Sequence, residues 1–253
     1  DILMELPLSL ISVSLGTALL PSLSRLLMSG DKEKFSKTAQ YYLEFNLLLT
    51  TAAAAGMMAL AEPIVYLLFG HGKFKAEDVA ITAQILKSYS AVMIFSSAVR
   101  VLTPAYYAVK NTWFPALISG ACLVVHMIVA TILVKQYQVH GLMFSTVLSA
   151  AINFLLLLYF FKKYILGFDY TSLFKNSLIF AFLGGVVFLV AQIFYLVQSH
   201  APEGLLFFIL NLIFSILISI AAFIFVGYLL KIEVVRDLTH KGSRIFKRLT
   251  GQK

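Results

Sequence analysis

Charged residues and cysteine are scarce in this sequence. Only 13% of its 253 residues are Asp, Glu, Lys or Arg, whereas about 25% is usual in a soluble domain. A single cysteine, Cys122, excludes an internal disulfide and offers no metal or redox motif. The alternation of polar and apolar residues that is typical of half-buried strands is also missing. These absences argue against a soluble domain, a disulfide-bonded fold and a β-sheet protein.

Enzyme motifs are missing as well. The sequence contains no glycine-rich phosphate loop ending in Lys-Ser or Lys-Thr, no His-Glu-x-x-His and no Gly-x-Ser-x-Gly. Paired carboxylates within a membrane span, which can hold a divalent metal, are absent too. We therefore expect no enzymatic activity, no cofactor and no metal site.

Long apolar runs dominate the chain instead. Hydrophobic residues make up 60% of it, and the mean hydropathy is +0.90. A helix needs roughly 20 mostly apolar residues to cross the hydrocarbon core of a bilayer. Seven segments reach that length, at about 3–27, 41–69, 83–108, 113–134, 139–161, 174–197 and 205–230. The sequence thus predicts an all-α polytopic membrane protein with about seven transmembrane helices.

The basic residues predict the orientation of these helices. Cytoplasmic loops carry an excess of Lys and Arg, and most of the loop Lys and Arg fall in alternate loops and in the tail after residue 230. The remaining loops hold only Lys73, Lys75 and Lys135. The C-terminus is therefore predicted in the cytoplasm, with the tail contacting anionic lipid rather than nucleic acid. Tyr106, Tyr107 and Trp113 bracket a turn on the same side and are predicted to form an interfacial aromatic belt.

Three ionisable residues within the spans are candidates for a polar cavity. Such a side chain is costly in a membrane helix and is a functional candidate by default; here they are Glu5, Arg100 and Lys87. Glu5 and Arg100 lie near Pro7 and Pro104, which break the backbone hydrogen-bond ladder and permit bends. The planar guanidinium of Arg100 suits a phosphate. The alternative is that Arg100 and Lys87 snorkel to the interfaces, which is favoured for Lys87, and that Glu5 caps a chain end.

Three motifs, in order along the chain, carry a family resemblance. The first is Glu-Leu-Pro at 5–7 with Leu-Gly-Thr-Ala-Leu-Leu-Pro-Ser-Leu-Ser-Arg at 15–25. The second is Pro-Ile at 63–64 with Leu-Phe-Gly-His-Gly-Lys-Phe at 68–74. The third is Arg-Val-Leu-Thr-Pro-Ala-Tyr-Tyr at 100–107 with Asn-Thr at 111–112 and Pro115. Their order, spacing and helix placement, over about the first two-thirds of the chain, resemble the MurJ/MviN family of lipid II flippases.

The resemblance implies an architecture. Members belong to the multidrug/oligosaccharidyl-lipid/polysaccharide exporter superfamily and have fourteen spans in two lobes. The seven spans here look like the eighth to the fourteenth, so the N-terminal lobe is expected outside this sequence. Residues 1–162 are then expected to line the cavity as the second lobe. Residues 163–230 are expected to form two extra apolar helices with a groove for the lipid tail, and residues 231–253 a basic cytoplasmic tail.

The resemblance also implies a function. The expected substrate is lipid II, an undecaprenyl-pyrophosphate-linked disaccharide-pentapeptide, which members flip across the bacterial inner membrane by alternating access. Glu5 matches the family's acidic residue before Leu-Pro, and Arg100 matches a basic residue before the kinked proline. Some members carry a sodium site in the helix that matches about 113–134. That segment has no acid here, and Ala130 stands where an Asn is expected, so no sodium site is predicted.

Three other functions stay open at this point. The chain can belong to an exporter of the same superfamily that carries another lipid-linked sugar or an amphipathic drug. It can instead be a non-transporting membrane scaffold that recruits cell-wall enzymes through its basic tail. A membrane enzyme is the third alternative, and the missing catalytic motifs argue against it.

Overall fold

The fold, taken from a computed structural model, is a bundle of α-helices. The structure describes residues 2–164, 167–198, 204–230, 232 and 235, and no strand occurs among them, which confirms the all-α prediction. The helices are α1 (Ile2–Leu8), α2 (Ser14–Met28), α3 (Lys32–Ala59), α4 (Ala61–Phe69), α5 (Ala76–Ala108), α6 (Trp113–Tyr164), α7 (Tyr170–Gln198) and α8 (Leu205–Leu229). A π-helical turn, Ser9–Val13, joins α1 to α2. The predicted basic tail, apart from Ile232 and Val235, lies outside the described residues.

Length and composition identify five or six membrane crossings in the described part of the chain. Five helical segments are long and apolar enough to cross a bilayer, and the pair α3 and α4, which meet at 68°, makes a sixth if it counts as one broken span. The first five include α6 as a single segment, Trp113–Lys162. The predicted total of seven therefore depends on whether α6 crosses once or twice.

The path of α6 favours two crossings. A straight helix of its 52 residues is roughly 78 Å long at about 1.5 Å per residue, more than twice the bilayer core. Gln138, with φ 49° and ψ −127°, interrupts it. Beyond that point Ser149 Oγ donates to the Cys122 carbonyl at 3.0 Å, and Asn153 Nδ2 donates to Ser119 Oγ at 3.3 Å. Because these pairs are nearly symmetric about residue 136, α6 is a hairpin of two antiparallel arms.

The direction of α7 supports the same path. Glu44 of α3 is bonded to Asn176 of α7, and further along, Gly56 of α3 lies against Val187. The residue numbers rise together, so α3 and α7 run parallel. Two spans that cross in the same direction are separated by an odd number of crossings, and α5 with the two arms of α6 supplies three. The total of seven nevertheless remains a prediction.

The main core lies where α2, α3, α5, α6 and α7 meet, and Tyr106 is at its centre. This residue is completely buried; its hydroxyl donates to the Leu157 carbonyl at 2.6 Å, and its ring contacts Phe114 and Phe161. The prediction that Tyr106 belongs to an interfacial belt is therefore wrong. Tyr107 and Trp113 are 43% and 77% exposed. The reason is helical geometry, because neighbouring residues point about 100° apart, so Tyr106 faces the core while Tyr107 faces outward.

Candidate functional site

Glu5 and Arg100 form an ion pair between the first and third predicted spans. Met4 and Leu8 of α1 are buried against Val92 and Met93 of α5, which leaves the intervening Glu5 on the open side. Arg100 Nη2 lies 3.1 Å from Glu5 Oε1 and 3.3 Å from Oε2. The two predicted cavity residues, far apart in sequence, are thus in contact.

The ion pair is half-exposed, which limits its structural value. The side chains of Arg100 and Glu5 are 36% and 49% exposed, and an ion pair in such surroundings contributes only about 0–1 kcal/mol. Arg100 uses one of its three nitrogens, and among the described residues Nε and Nη1 have no acceptor. The remaining N–H groups can therefore bind an external anion, provided that it competes with the Glu5 carboxylate.

Lys87, the third candidate, lies away from this pair. It precedes Arg100 by 13 residues on α5, which is about 20 Å along the helix and about 140° around it. Lys87 is exposed, and within the described residues it has neither an ion pair nor a hydrogen bond. The side chains that share the Arg100 face at helical spacing are instead Ser96, Thr103 and Tyr107. A cavity role for Lys87 and the favoured alternative, snorkelling to the interface, therefore both stay predictions.

The two predicted kink prolines have different surroundings. Pro7 is followed at once by the π-helical turn Ser9–Val13, and such turns are frequent at functional sites. Pro104 lies inside α5, which continues to Ala108, and it cannot donate the N–H that would normally bond to the Arg100 carbonyl. The backbone of α2 approaches that oxygen closely, because a Cβ on Gly16 would lie 3.0 Å from Arg100 O and 3.4 Å from Pro104 Cγ.

A buried polar cluster, missed by the sequence analysis, joins three helical segments behind the ion pair. Ser12 Oγ in the π-helical turn donates to Asn46 Oδ1 at 2.8 Å, and Asn46 Nδ2 donates to Ser97 Oγ at 3.0 Å. Thr50 Oγ1 lies 3.1 Å from Ser97 Oγ and donates to the Asn46 carbonyl at 2.7 Å. All four residues are 0% exposed. Asn46, an amide within an apolar run, was the available sequence signal, since such amides hold membrane helices together.

An apolar groove of about 760 Å³ lies between α3, α4, α7 and α8. The small residues Ala52, Ala53 and Gly56 of α3 line the groove and leave its space, and Val187 of α7 and Phe223 of α8 line it as well. Ser219 also lines the groove, but its hydroxyl donates to the Ser215 carbonyl at 2.7 Å and so needs no hydrogen-bond acceptor on a ligand. A hydrocarbon chain is the ligand that this lining suits, because it offers dispersion contacts and almost no hydrogen bonds.

Comparison with known proteins agrees with this architecture. The family model described as "Lipid II flippase MurJ" matches residues 1–215. A probable lipid II flippase MurJ from Bdellovibrio bacteriovorus is 41% identical over 235 residues, which is 93% of this chain and 45% of that protein. A protein of the same description from Thermotoga maritima is 32% identical over 244 residues, covering 95% of this chain and 46% of that protein.

A solved structure shares the fold. It is described as lipid II flippase MurJ in an inward closed conformation, and it superimposes with a TM-score of 0.69 and 24% identity over 89% of this chain and 45% of that one. The chain spans about half the length of the curated relatives it matches. The matched family model and these relatives together show that the chain is part of a multi-pass membrane protein and belongs to the MurJ lipid II flippase family.

Proposed function

We propose that the protein containing this chain flips lipid II from the cytoplasmic to the periplasmic leaflet of the bacterial inner membrane. The observation that carries the proposal is the Arg100–Glu5 pair, which is half-exposed on the open side of a membrane-spanning helix bundle. Ionisable groups at such a place mark a substrate path. The family membership makes lipid II the substrate of choice among lipid-linked sugars.

In this proposal Arg100 binds the pyrophosphate of the headgroup. A pyrophosphate offers several anionic oxygens to the guanidinium, whereas Glu5 offers one carboxylate. Glu5 keeps Arg100 neutralised when no substrate is present and is displaced when the headgroup enters. The bond between them is weak enough to exchange, because it is half-exposed. Protein contacts thereby replace the hydration of the headgroup, whose loss is the costly part of crossing a bilayer.

The isoprenoid tail stays in apolar surroundings throughout. The groove between α3, α4, α7 and α8 receives part of it, while the headgroup occupies the cavity near Arg100. Residues 1–162 form the cavity-lining lobe, residues 163–230 the groove helices and residues 231–253 a tail on the cytoplasmic side. The N-terminal lobe of the same protein closes the cavity opposite α1 and α5. Rocking of the two lobes about this site gives alternating access without covalent chemistry.

Complementation tests the proposal. The full parent gene is expressed in flippase-depleted bacteria as wild type, as Arg100→Ala and, as a matched control on the same helix, as Lys87→Ala. Equal membrane abundance of all three proteins is verified. Growth with wild type and Lys87→Ala, but not with Arg100→Ala, is the expected result. It supports lipid II transport with Arg100 in the cavity and Lys87 at the interface.

Other outcomes would contradict parts of the proposal. Growth with Arg100→Ala would keep the transport function and reduce Arg100 to a snorkelling residue. Failure of the wild type at normal abundance would favour a different lipid-linked sugar, a drug or a scaffold. Deleting residues from about 236 onward separates the scaffold from the transporter, because a transporter retains flipping without its tail.

A further inference from the structure

Glu44 is a buried carboxylate at the interface of α3 and α7. The residue is 8% exposed, and both of its oxygens accept hydrogen bonds from carboxamides. Oε1 is bonded by Gln40 Nε2 at 2.8 Å, and Oε2 is bonded by Asn176 Nδ2 at 2.9 Å. The ion pairs found among the described residues all involve other acids. An acid in a membrane-crossing helix is thus held by neutral donors, and removing either donor would leave a buried acceptor unsatisfied.

Gln40 connects the same carboxylate to the start of α7. Its Oε1 accepts the backbone N–H of Asp169 at 3.0 Å, and its Nε2 lies 3.3 Å from the Asp169 carbonyl. Asp169 in turn caps α7, because its Oδ1 accepts the N–H of Ser172 at 2.9 Å. The first turns of α7 are therefore fixed to α3 at Asp169 and at Asn176. We call Gln40, Glu44, Asp169 and Asn176 the α3–α7 clamp.

Beyond the clamp, α7 packs closely on small residues of α3 and reaches the groove. A Cβ on Gly184 would lie 2.9 Å from Thr51 Cγ2 and 3.6 Å from Ala55 Cβ. Val187, one turn later, lines the groove and lies against Gly56. A helix is stiff over the 11 residues, about 16 Å, that separate Asn176 from Val187. The clamp and the packing at Gly184 therefore set the position of the groove wall together.

We propose that Glu44 is a positioning residue, whose carboxylate between two amide donors aligns α7 on α3 and keeps the apolar groove open for an isoprenoid chain. The inference rests on the function proposed above, since it takes the groove as the site of the lipid tail. The alignment depends on complementary hydrogen-bonding groups, because the two oxygens of Glu44 accept from the amides of Gln40 and Asn176. Side-chain volume is of secondary importance.

A swap of the two groups tests this dependence. Asn176→Asp leaves the volume almost unchanged but replaces the donor to Glu44 Oε2 with a second carboxylate about 2.9 Å away, and the two like charges repel each other. In the double variant Glu44→Gln/Asn176→Asp the new amide oxygen at position 44 accepts from Gln40, and its NH₂ donates to the carboxylate at position 176. Gln40 cannot turn over instead, because both ends of its amide are bonded to Asp169.

The measurement is photolabelling of the full parent protein in vesicles. The probe is an undecaprenyl pyrophosphate analogue with a diazirine in its isoprenoid chain, and labelled peptides that carry groove residues are quantified. We expect Asn176→Asp to reduce groove labelling about tenfold and the double variant to restore it to within about twofold of wild type. Asn111→Asp serves as the control, since it makes the same change outside the clamp and the groove, at a position where the side chain accepts the Phe114 N–H and Asp caps as well as Asn.

The outcomes separate this inference from the proposed function. Two results would overturn the clamp and leave the flippase proposal intact, provided that the groove of the wild type is labelled. In the first, Asn176→Asp is labelled as strongly as wild type. In the second, the double variant is labelled as weakly as Asn176→Asp. Absence of groove labelling in wild type overturns the groove as a tail site and the inference with it. If Asn176→Asp fails to accumulate in the membrane, recovery of both abundance and labelling in the double variant is the supporting result.

Discussion

Ser97 and Arg100 lie three residues apart on α5, and the structure places them in opposite surroundings. Ser97 is completely buried in the cluster with Ser12, Asn46 and Thr50, where every group is neutral. Arg100 faces the open side and pairs with Glu5 at about half exposure. Neutral hydrogen bonds occur where water is excluded, because burying a charge there costs much free energy. The charged pair lies where a ligand or water can reach it, because a half-exposed ion pair is weak and can exchange its partner. The comparison predicts that the cluster stabilises the bundle and that the pair is available for function.

The largest expected effect comes from exchanging the charges of the pair. The double variant Glu5→Arg/Arg100→Glu keeps an ion pair of the same type, so its thermal unfolding midpoint should stay close to that of wild type. Flipping by the full protein in vesicles should fall about 30-fold or more, because the contact between a phosphate and a fixed guanidinium is lost, and removing one partner of such a contact typically costs 2–5 kcal/mol. Flipping at the wild-type rate would show that the pair is only a structural bridge.

A second prediction concerns the buried cluster. Asn46→Leu removes the two side-chain bonds at 2.8 and 3.0 Å that join the π-helical turn to α5, and it should lower the free energy of unfolding by about 1–3 kcal/mol. The measurement is denaturant unfolding of the purified protein in detergent micelles.

The matched control for the cluster is Asn153→Leu. Asn153 makes one bond at 3.3 Å between the arms of α6, and its buried Oδ1 has no hydrogen-bond partner among the described residues. Its replacement should be neutral or stabilising, since an unsatisfied polar atom is removed. Equal losses for the two variants would contradict a special role for the cluster.

The contact between α2 and α5 gives a smaller effect. Gly16→Ala should be about 1 kcal/mol less stable than Gly120→Ala, because the new Cβ meets the Arg100 carbonyl at 3.0 Å whereas no atom of the described residues lies within 4 Å of a Cβ at Gly120. Both variants gain the same helix propensity, so their difference isolates the contact. Thermal unfolding of the two proteins measures it, and identical midpoints would show that α2 can shift away freely.

The smallest effect is expected at the loop before α3. Asp31 Oδ1 accepts the Lys34 N–H at 3.0 Å, and the side-chain bond to Lys34 is the main cause that lowers the pKa of Asp31 below its ordinary 3.8. Because the folded-state pKa is the lower one, the stabilisation is present above pH 3.8 and disappears as the pH falls through the lowered pKa. Asp31→Asn should therefore unfold slightly earlier than wild type at pH 6, and the difference should shrink as the pH falls through the lowered pKa. A difference between the two unfolding midpoints that does not shrink on acidification would contradict this assignment.

The sequence predicted the helices well and their contacts only in part. The described helices overlap all seven predicted spans, because hydropathy and helix length depend on each residue and its neighbours. Glu5 and Arg100 were predicted for the same cavity from their cost in a membrane, and they are in contact. Lys87 satisfied the same rule but lies on another side of α5. The free-energy cost of an ionisable residue in a membrane helix identifies unusual residues, but it does not predict which of them are in contact.

Two features of the site were overlooked for a physical reason. Asn46 is uncharged, and Glu44 lies near the end of its predicted span, so neither stood out as a costly residue. Their importance comes from partners that are distant in sequence: Ser12 and Ser97 for one, and Asn176 for the other. The aromatic belt failed at Tyr106 for a similar reason, since adjacent aromatic residues look alike until the packing of α5 on α6 buries one of them.

By itself the sequence determined that this protein lies in a lipid bilayer, that it is helical and, through its motifs, which family it belongs to. These properties follow from apolar runs long enough to cross a bilayer and from the local order of residues, neither of which depends on how distant helices pack. Only the tertiary structure decided that Glu5 meets Arg100, that Ser12, Asn46 and Ser97 form a buried cluster, and that α7 lies against α3 with Asn176 bonded to Glu44. These contacts depend on the packing of helices far apart in the chain, where side-chain shape and hydrogen-bond partners select among arrangements that hydropathy alone leaves equally favourable.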